Sequence, residues 1–386
     1  MAKKRIGVIT VARSDYGLYT PILRKILTHP ELELRLYVGG AHFLPQFGST
    51  VKEIEKDGFP IAAKVSINMD GNTPADIAMA MGRHTEAFAK IFCDDNPDIV
   101  VALGDRYEMH AAALAAIPFH IPIAHIHGGE LTYGAIDEYF RHSLTKLSSL
   151  HFATTEEYAK NIIQMGEEPR RVIVSGAPGI DGALGLKLFL KQELEEKYGI
   201  DFSRPVILVT FHPVTMEYEH TKKYITNLLS ALDGFFNYNI IFTYPNADTN
   251  YEIIIEKIEA YARDSQRVFI VKNFGHQGHL SMMKYVAAMV GNSSSGIIEA
   301  ASFKLPVVNI GTRQEGRVRS KNVIDVGYNA VDISEGIKKA ISEDFRLLLE
   351  GMVNSYGDGK ASERIVNILA EIDFQKLKVK HFYTIR

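Results

Sequence analysis

Short runs of Val, Ile and Leu alternate with helix-length amphipathic segments along the chain, and the alternation occurs in two successive sets. Continuous apolar runs separated by helices predict parallel strands that helices cover on both faces. The first set of predicted strands comprises Ile6–Val11, Glu33–Val38, Ile99–Leu103, Ile121–His127, Leu150–Thr154 and Val172–Ser175. The second set comprises Val206–Phe211, Ile240–Thr243, Val268–Val271, Met289–Gly291 and Val307–Ile310. The sequence therefore predicts an α/β fold with two Rossmann-like, doubly wound domains.

Amphipathic segments fill the intervals between the predicted strands. The predicted helices include Leu18–Leu27, Ala75–Phe92, Tyr107–Ala116, Asp137–Leu147, Glu156–Met165, Tyr224–Phe236, Tyr251–Ala262, Leu280–Tyr285 and Ala361–Ile372. The cluster Gly176–Gly179, followed by Asp181 and Gly182, predicts the hinge between the domains. We expect a first domain over residues 1–180 and a second over 181–360. The last segment, 361–386, follows the second set of strands, so we expect it to pack back on the first domain.

The composition of the 386 residues allows a sizeable core, since 46% are hydrophobic, and it excludes several kinds of partner. The formal net charge of −3 does not favour nucleic acid or an anionic membrane. Cys93 is the only cysteine, which excludes an intramolecular disulfide and favours a reducing cytoplasm. The first apolar run is interrupted by Arg13, too soon for a signal peptide or a membrane span. We therefore expect a cytoplasmic protein without a nucleic-acid or membrane partner.

A turn rich in serine and glycine, Gly291–Glu299, connects an apolar strand to a helix. Backbone N–H groups at a helix start lack intrahelical partners and carry the positive end of the helix dipole, so they suit a diphosphate. Ser293 and Ser294 place hydroxyls beside them, and Glu299 could accept hydrogen bonds from two ribose hydroxyls. An ordinary helix with a serine N-cap is the alternative.

Polar clusters also follow four more of the predicted strands. They are Arg13, Asp105 with Arg106, His125 to Glu130, and His212. In parallel sheets, ligands bind in the crevice at the carboxyl ends of the strands. We therefore expect all these clusters to face one active site, in the cleft between the two domains.

Carboxylates and arginines occur together at two places in the first domain. Arg106 could bind phosphate and Asp105 could act as a base, or the two could form an ion pair at a helix start. Asp137 and Arg141 are i,i+4 neighbours on a predicted helix, which is also typical of a solvated surface ion pair. If Asp137 lies instead beside Glu130 and Asp105, the three form a carboxylate cluster. Several carboxylates in one partly dry site raise some of their pKa values, as acid–base catalysis at neutral pH requires.

His125 and His127 are two residues apart on a predicted strand, so we expect their side chains to share one face of the sheet. Gly128 and Gly129 then let the backbone turn closely around a ligand and present Glu130. A His-x-His pair can also bind a metal, but no third ligand follows at a familiar spacing. We therefore expect no metal site and interpret these histidines as core or polar-network residues.

Strand ends of the second domain carry further candidate anion ligands. His212 could donate to a phosphate oxygen, although a histidine there is more often packed or capped. Asn246 ends the next strand, where a plain Asx turn is the alternative. Arg313 and Arg317 could neutralise a diphosphate or could simply be solvated. The segment Gly275–Gly278 is interpreted as a flexible loop.

Six motifs in order along the chain resemble those of the UDP-N-acetylglucosamine 2-epimerase family, and specifically its hydrolysing branch in bacterial sialic acid synthesis. The motifs are Arg13–Gly17, Gly104–Arg106, His125–Glu130, Arg141–Lys146, Gly291–Glu299 and Gly311–Gln314. The resemblance covers nearly the whole chain. The non-hydrolysing branch has a glutamate where this chain has His127, which favours a free sugar as the product.

The resemblance implies a glycosyltransferase-B-like pair of domains in which the second domain holds UDP. It implies catalytic roles for Asp105, Glu130, Asp137 and His212. It implies that the residues binding substrate are Arg13, Arg106, Arg141, Asn246, Ser293, Ser294, Gly296, Glu299 and Arg313. A homo-oligomer, either a dimer or a tetramer, is expected, with no redox cofactor and no metal.

The implied reaction converts UDP-N-acetylglucosamine and water to N-acetylmannosamine and UDP. Removal of the C2 proton and anti loss of UDP give a 2-acetamidoglucal, to which water adds with inverted configuration at C2. The same chemistry could instead act on a UDP- or GDP-linked 2,4-diacetamido-trideoxy hexose of the legionaminic acid pathway. A glycosyltransferase is also compatible with the fold but needs an acceptor groove. A non-catalytic UDP-sugar sensor is compatible too, although such a protein could lack Asp105 or Asp137.

Overall fold

Two parallel β-sheets form the framework of the computed structural model, which describes residues 3–43, 50–67, 74–133, 136–245, 250–263 and 265–385. The chain divides into two units, each built on one sheet. Unit 1 comprises Met1–Gly182 and Tyr356–Arg386, and unit 2 comprises Ala183–Ser355. The chain therefore leaves unit 1 once and returns to it for its last segment.

Unit 1 contains a seven-stranded sheet in which neighbouring strands are parallel. Its strands are β1 (Lys4–Thr10), β2 (Leu32–Val38), β3 (Ile61–Lys64), β4 (Ile99–Leu103), β5 (Ile123–Ile126), β6 (Leu150–Ala153) and β7 (Val172–Val174). Its helices are α1 (Arg13–Thr28), α2 (Val51–Lys56), α3 (Pro74–Asp94), α4 (Tyr107–Ala116), α5 (Asp137–Leu147) and α6 (Glu156–Gln164), and α7 (Pro178–Gly185) crosses into unit 2. The strand order is β3-β2-β1-β4-β5-β6-β7, so the winding reverses between β1 and β4.

Unit 2 repeats this architecture with a six-stranded parallel sheet. Its strands are β8 (Val206–Thr210), β9 (Asn239–Phe242), β10 (Val268–Ile270), β11 (Ala288–Gly291), β12 (Val307–Ile310) and β13 (Val323–Val326). Its helices are α8 (Lys191–Tyr198), α9 (Thr221–Leu232), α10 (Tyr251–Ala262), α11 (Gly275–Tyr285), α12 (Ser294–Ile298), α13 (Ala330–Ile341) and α14 (Glu343–Leu348). The order is β10-β9-β8-β11-β12-β13, so the winding reverses between β8 and β11.

The central strands are mostly apolar, as expected when helices cover both faces of a sheet. In unit 1, every residue of β4 is buried, and Phe88 and Phe92 of α3 belong to the same core. In unit 2, Val209 faces one core cluster and Leu208 the other, as the alternation of side chains along a strand requires. Each large apolar side chain buried in this way stabilises the fold by about 1.5–3 kcal/mol.

The last helix, α15 (Ala361–Glu371), belongs to unit 1 and packs against α1. Its apolar face contributes Ile365 and Leu369 to the core of unit 1. Its first N–H groups are capped from a distant part of the chain, since Asp181 accepts hydrogen bonds from the backbone N–H of Ala361 at 2.9 Å and of Ser362 at 2.6 Å. A carboxylate at a helix N-terminus is favoured by the helix dipole, so Asp181 anchors the returning helix.

The predicted fold class, two parallel α/β sheets, is confirmed. The edge strands β3 and β13 were not predicted, because the first is half exposed and rich in alanine and the second ends in Asp325 and Val326. The prediction of a flexible loop over Gly275–Gly278 is wrong, because these residues form the first turn of α11. Among the helices in the described ranges, none has the length and apolar character needed to cross a membrane.

Candidate functional site

In each unit, several candidate residues follow the strands at which the winding reverses. In unit 1, Arg13 begins the helix after β1, and Asp105 and Arg106 follow β4. In unit 2, His212 follows β8 and Ser293 follows β11. The carboxyl ends of such neighbouring strands are where doubly wound sheets bind ligands. Each unit therefore brings together residues that are far apart in the sequence.

Arg141, on α5, is the centre of the polar cluster in unit 1. Its side chain is only 6% exposed. The guanidinium donates to the carboxylate of Asp105, to Oε2 of Glu130 at 3.4 Å, and to Oγ1 of Thr132 at 2.8 Å. The resemblance implied that Arg141 binds substrate, and in this structure its guanidinium is bonded to two carboxylates of its own unit. A buried guanidinium of this kind fixes the positions of both carboxylates.

Glu130 is the most buried carboxylate of the cluster, at 5% exposure. Its Oε1 lies 2.7 Å from Nδ1 of His127 and accepts a hydrogen bond from Oγ1 of Thr154 at 2.8 Å. Its Oε2 accepts the bond from Arg141. Hydrogen bonds at both oxygens hold the carboxylate in one orientation.

The prediction that His125 and His127 share one face of the sheet is wrong. The strand β5 ends before His127, whose φ of 67° lies in the left-handed region. His125 is buried, with Nε2 2.8 Å from the carbonyl oxygen of Gly104 and Nδ1 3.1 Å from Oγ1 of Thr145. Burial lowers the pKa of His125 to about 3, so this imidazole is a neutral core residue. The two histidines diverge because the positive φ of His127 breaks the alternation of the strand. The next residue, Gly128, packs against the ring of His125, where a Cβ would lie 2.9 Å from Nδ1.

Asp137, the first residue of α5, lies close enough to Asp105 for their charges to interact. Burial, followed by the negative charge of Asp105, raises the pKa of Asp137 above its usual value. Arg141 directs its guanidinium to Asp105 and Glu130 rather than to Asp137, its i,i+4 neighbour. The structure therefore brings the three predicted carboxylates together around one arginine. Asp105, Glu130, Asp137 and Arg141 are called the carboxylate cluster below.

The two remaining arginines proposed for unit 1 differ in exposure. The side chain of Arg13 is 76% exposed, with Nε 3.7 Å from Oε2 of Glu53. Arg106 is 40% exposed and donates to the buried carboxylate of Glu108, with Nη2 2.8 Å from Oε1. Arg13 therefore retains more freedom to reach a ligand, because an exposed ion pair is weak.

Unit 2 contains a pocket of about 360 Å³ at the carboxyl ends of its central strands, a volume within the range of small-molecule sites. Its lining is mostly polar. The lining residues are Thr210, His212, Thr243, Tyr244, Pro245, Lys272, Asn273, Phe274, His279, Ser293, Ser294, Ser295 and Arg313. Three consecutive serines and two cationic side chains give this pocket the character of an anion site.

The serine turn, Ser293–Ser295, is held in place by a tight junction between β8 and β11. Gly291 has a φ of 138°, and a Cβ there would lie 1.9 Å from the carbonyl oxygen of Thr210, so only glycine fits. Asn292 then bridges to β8, because its side chain accepts from the N–H of His212 at 2.7 Å and donates to the carbonyl of His212 at 2.9 Å.

Arg313 and His212 lie together in the pocket. Nη1 of Arg313 donates to the carbonyl oxygen of Asn292 at 3.0 Å, which orients the guanidinium. Burial, followed by the positive charge of Arg313, lowers the pKa of His212 to about 3. His212 is therefore neutral near pH 7 and can donate one N–H to an anion, while Arg313 supplies positive charge.

The remaining residues of the predicted nucleotide site lie on or next to α12. Ser293 is its N-cap and accepts from the backbone N–H of Ser295 at 3.4 Å, and Ser294 is its first residue. Gly296 is buried, and a Cβ there would lie 3.0 Å from Val307. Glu299 ends the helix, and burial raises its pKa to about 7. Neither Gly296 nor Glu299 lines the pocket.

One predicted residue, Asn246, lies outside the described residues. Sequence reasoning missed eight lining residues, which are Thr210, Thr243, Tyr244, Pro245, Lys272, Asn273, Phe274 and His279. The sequence did contain one signal for the start of α11, which is Asn273, because an Asn side chain often bonds to the backbone two residues further on. In the structure, this side chain accepts from the backbone N–H of Gly275 at 2.7 Å. In the described part of the chain, no three His, Cys, Asp or Glu side chains form a group that could hold a metal.

Two parallel sheets, a carboxylate cluster and a polar anion pocket define a two-domain α/β protein suited to a phosphorylated ligand. The sequence model of the UDP-N-acetylglucosamine 2-epimerase family matches residues 24–370. The chain belongs to this family.

Two curated relatives are similar to this chain over most of their length. One is the GDP/UDP-N,N'-diacetylbacillosamine 2-epimerase (hydrolyzing) of Campylobacter jejuni, 39% identical over 347 residues, which are 90% of each protein. The second is the polysialic acid biosynthesis protein P7 of Escherichia coli, 38% identical over 384 residues, 99% of this chain and 98% of the relative. Among solved structures, the UDP-GlcNAc 2-epimerase of Neisseria meningitidis bound to UDP-GlcNAc has the same fold. Its TM-score is 0.79 at 21% identity, covering 95% of this chain and 100% of that chain.

Proposed function

We propose that this protein is a hydrolysing UDP-sugar 2-epimerase whose substrate is a UDP-linked 2,4-diacetamido sugar of the N,N'-diacetylbacillosamine type. The proposal that the protein binds a nucleotide rests on the pocket of unit 2. There, three serines, a neutral histidine and Arg313 surround a space of small-molecule size. The relative from Campylobacter jejuni, at 39% identity, supports both the hydrolysing reaction and the substrate.

The pocket of unit 2 binds the UDP portion in this proposal. Ser293, Ser294 and His212 offer neutral donors to the diphosphate, and Arg313 offers a charged one. In this proposal the ribose extends beyond the pocket lining to the end of α12, where Glu299 accepts hydrogen bonds from its hydroxyls. When UDP leaves, negative charge develops on its phosphate oxygen, and the same donors stabilise that charge.

The carboxylate cluster of unit 1 transfers protons at the sugar in this proposal. Removal of the C2 proton and loss of UDP across the C1–C2 bond give a glycal, and a water molecule then adds its hydroxyl to C1 and a proton to C2. Of the three carboxylates, Asp137 is proposed as the general acid, because burial and the charge of Asp105 raise its pKa above the usual value. Asp105 is suited to accept a proton, and Glu130, held at both oxygens, keeps Arg141 in place.

UDP-N-acetylglucosamine is the second candidate substrate. The polysialic acid biosynthesis protein of Escherichia coli is 38% identical over 99% of this chain, and that similarity favours a sugar used in sialic acid synthesis. The two candidates share the 2-acetamido group on which the chemistry depends, and they differ at C4 and C6 of the sugar.

The substrate is tested by incubating the purified protein with each UDP-sugar in turn and measuring UDP release together with the NMR spectrum of the sugar product. We expect kcat/KM to be at least about tenfold higher for the UDP-diacetamido sugar, because a site built for an acetamido group leaves polar atoms unpaired when the group is absent. A higher kcat/KM for UDP-N-acetylglucosamine would make that sugar, the second candidate, the substrate. Failure to release UDP from either sugar would contradict the proposed function.

A further inference from the structure

His279 lines the pocket of unit 2 and begins a chain of hydrogen bonds that ends in the serine turn. It lies on the second turn of α11, a helix that does not carry any of the residues assigned above. Its Nε2 is 3.0 Å from Oγ of Ser295, and Oγ of Ser295 is 2.9 Å from Oγ of Ser293. Three side chains from two different helices therefore form one continuous hydrogen-bonded line along the pocket.

The protonation of His279 limits how this chain can be arranged. Burial, followed by the charge of His276, lowers the pKa of His279 to about 4, so the ring is neutral near pH 7 and carries a single N–H. If that N–H is at Nε2, it donates to Ser295, whose hydroxyl then donates to Ser293. If the proton is at Nδ1, Nε2 accepts and every bond of the chain runs in the opposite direction.

The two arrangements present different groups to a ligand. Oγ of Ser293 already accepts a hydrogen bond from the backbone N–H of Ser295. In the first arrangement it also accepts from the Ser295 hydroxyl, so both its lone pairs are used and its own O–H is available as a donor to the pocket. In the reverse arrangement the Ser293 proton points away toward Ser295. A diphosphate oxygen only accepts hydrogen bonds, so it selects the first arrangement.

We propose that His279 is a positioning residue for the diphosphate, acting through Ser295 to aim the Ser293 hydroxyl proton into the pocket. The inference rests on the proposed function, since it needs a diphosphate ligand. It assigns to this imidazole a role in affinity for the phosphate groups alone. The uridine portion of the ligand gains nothing from the chain.

The test compares two variants by titration calorimetry with UDP and by ligand-observed NMR titration with uridine. His279→Leu removes the donor and keeps an apolar side chain of similar size. His279→Gln is the matched control, because its amide nitrogen can reach a position similar to Nε2 and donate to Ser295. We expect the Leu variant to bind UDP about tenfold more weakly with uridine affinity unchanged, and the Gln variant to recover most of the loss.

A double-variant cycle gives a readout that a purely structural role would not produce. In a protein that already carries Ser293→Ala, His279→Leu should weaken UDP binding by less than about twofold, because the hydroxyl it positions is gone. Equal weakening of UDP and uridine, an additive double variant, or no weakening at all would overturn the inference. If one of these outcomes is found and the unmodified protein still binds UDP normally, the inference is wrong and the proposed function is unaffected. Absence of UDP binding by the unmodified protein would overturn both.

Discussion

The polar sites of the two units differ in how their charges are balanced. In unit 1, buried carboxylates and a buried arginine satisfy one another, and the side chain of Arg141 is 6% exposed between Asp105 and Glu130. In unit 2, the pocket is lined by hydroxyls, by neutral histidines and by Arg313 and Lys272. Charges that pair inside a partly dry site shift one another's pKa values, whereas a site rich in hydrogen-bond donors is suited to an anion.

This contrast predicts that substitutions in the two units will have separable effects. Changes in the carboxylate cluster should alter turnover or folding, and changes in the pocket should alter affinity for the nucleotide. The predictions below run from the largest expected effect to the smallest.

The largest effect is expected for Asp105→Asn and Asp137→Asn. Each removes a proton-transferring group while keeping its size and much of its hydrogen bonding, so kcat should fall roughly 10²–10⁴-fold. The affinity for UDP, measured by calorimetry, should change less than about twofold. Asp94→Asn, at an exposed carboxylate at the end of α3, is the control and should have no effect. Near-normal turnover in both cluster variants would contradict the assignment of catalysis to unit 1.

Arg141→Ala should destabilise unit 1 strongly. It leaves the buried carboxylate of Glu130 and that of Asp105 without their shared cation, which costs about 3–5 kcal/mol of unfolding free energy. The matched control is Arg170→Ala, where an arginine 75% exposed pairs with Glu168 and less than about 1 kcal/mol is expected. Urea unfolding followed by circular dichroism measures both. A loss no larger at Arg141 than at Arg170 would mean that the cluster is not held by this arginine.

Arg313→Ala should weaken UDP binding and leave the fold intact. Loss of one charge-assisted contact costs about 1.5–3 kcal/mol, which is roughly a 10- to 150-fold rise in the Kd for UDP. Arg204→Ala, at an exposed arginine before β8, is the control for the lost charge and should leave the Kd unchanged. Calorimetry that gives the same Kd for both variants would place the diphosphate away from this pocket.

The smallest effect is a pH dependence of UDP binding from Glu299. Burial raises the pKa of this carboxyl to about 7 from a usual value of 4.5, so in the free protein it gains its charge only as the pH rises through about 7. Ribose hydroxyls donate to the ionised form, so binding should release a proton, and affinity should fall roughly five- to tenfold from pH 7.5 to pH 6.

The same shift has a consequence for the stability of the free protein. Because the folded pKa of Glu299 is raised, its contribution to stability is present below about pH 4.5 and is lost as the pH rises through about 7.

Glu299→Gln is the control for the pH dependence of UDP binding. It removes the part of that dependence that comes from this carboxyl and leaves the part that belongs to the phosphate groups. An unchanged pH profile in Glu299→Gln would show that the carboxyl does not meet the ribose.

The sequence predicted which candidate residues follow the ends of the strands, because strand ends can be read from apolar runs. It placed the sites there because parallel sheets bind ligands at those ends. It did not predict which side chains pair. Arg141 and Asp105 are 36 residues apart, and their contact depends on how α5 packs near the end of β4. His127 leaves the face of His125 because of a backbone turn with positive φ, and apolar periodicity carries no information on such a turn.

The missed residues of unit 2 have a similar physical reason. The glycines Gly275 and Gly278 made the start of α11 look like a loop, since glycine disfavours helix, yet tertiary packing of Phe274 and Leu280 in the core outweighs that preference. His279 therefore enters the pocket from an element that the sequence did not place there.

The measurement that tests the central claim most directly is the product formed from the UDP-sugar in heavy water with oxygen-18 label. A hydrolysing 2-epimerase that proceeds through a glycal should give free UDP and a sugar with inverted configuration at C2, deuterium at C2 and the oxygen label at C1. Both labels follow from adding water across the C1–C2 double bond. A sugar that keeps its original C2 configuration and carries no deuterium there would contradict the account, even if UDP is released.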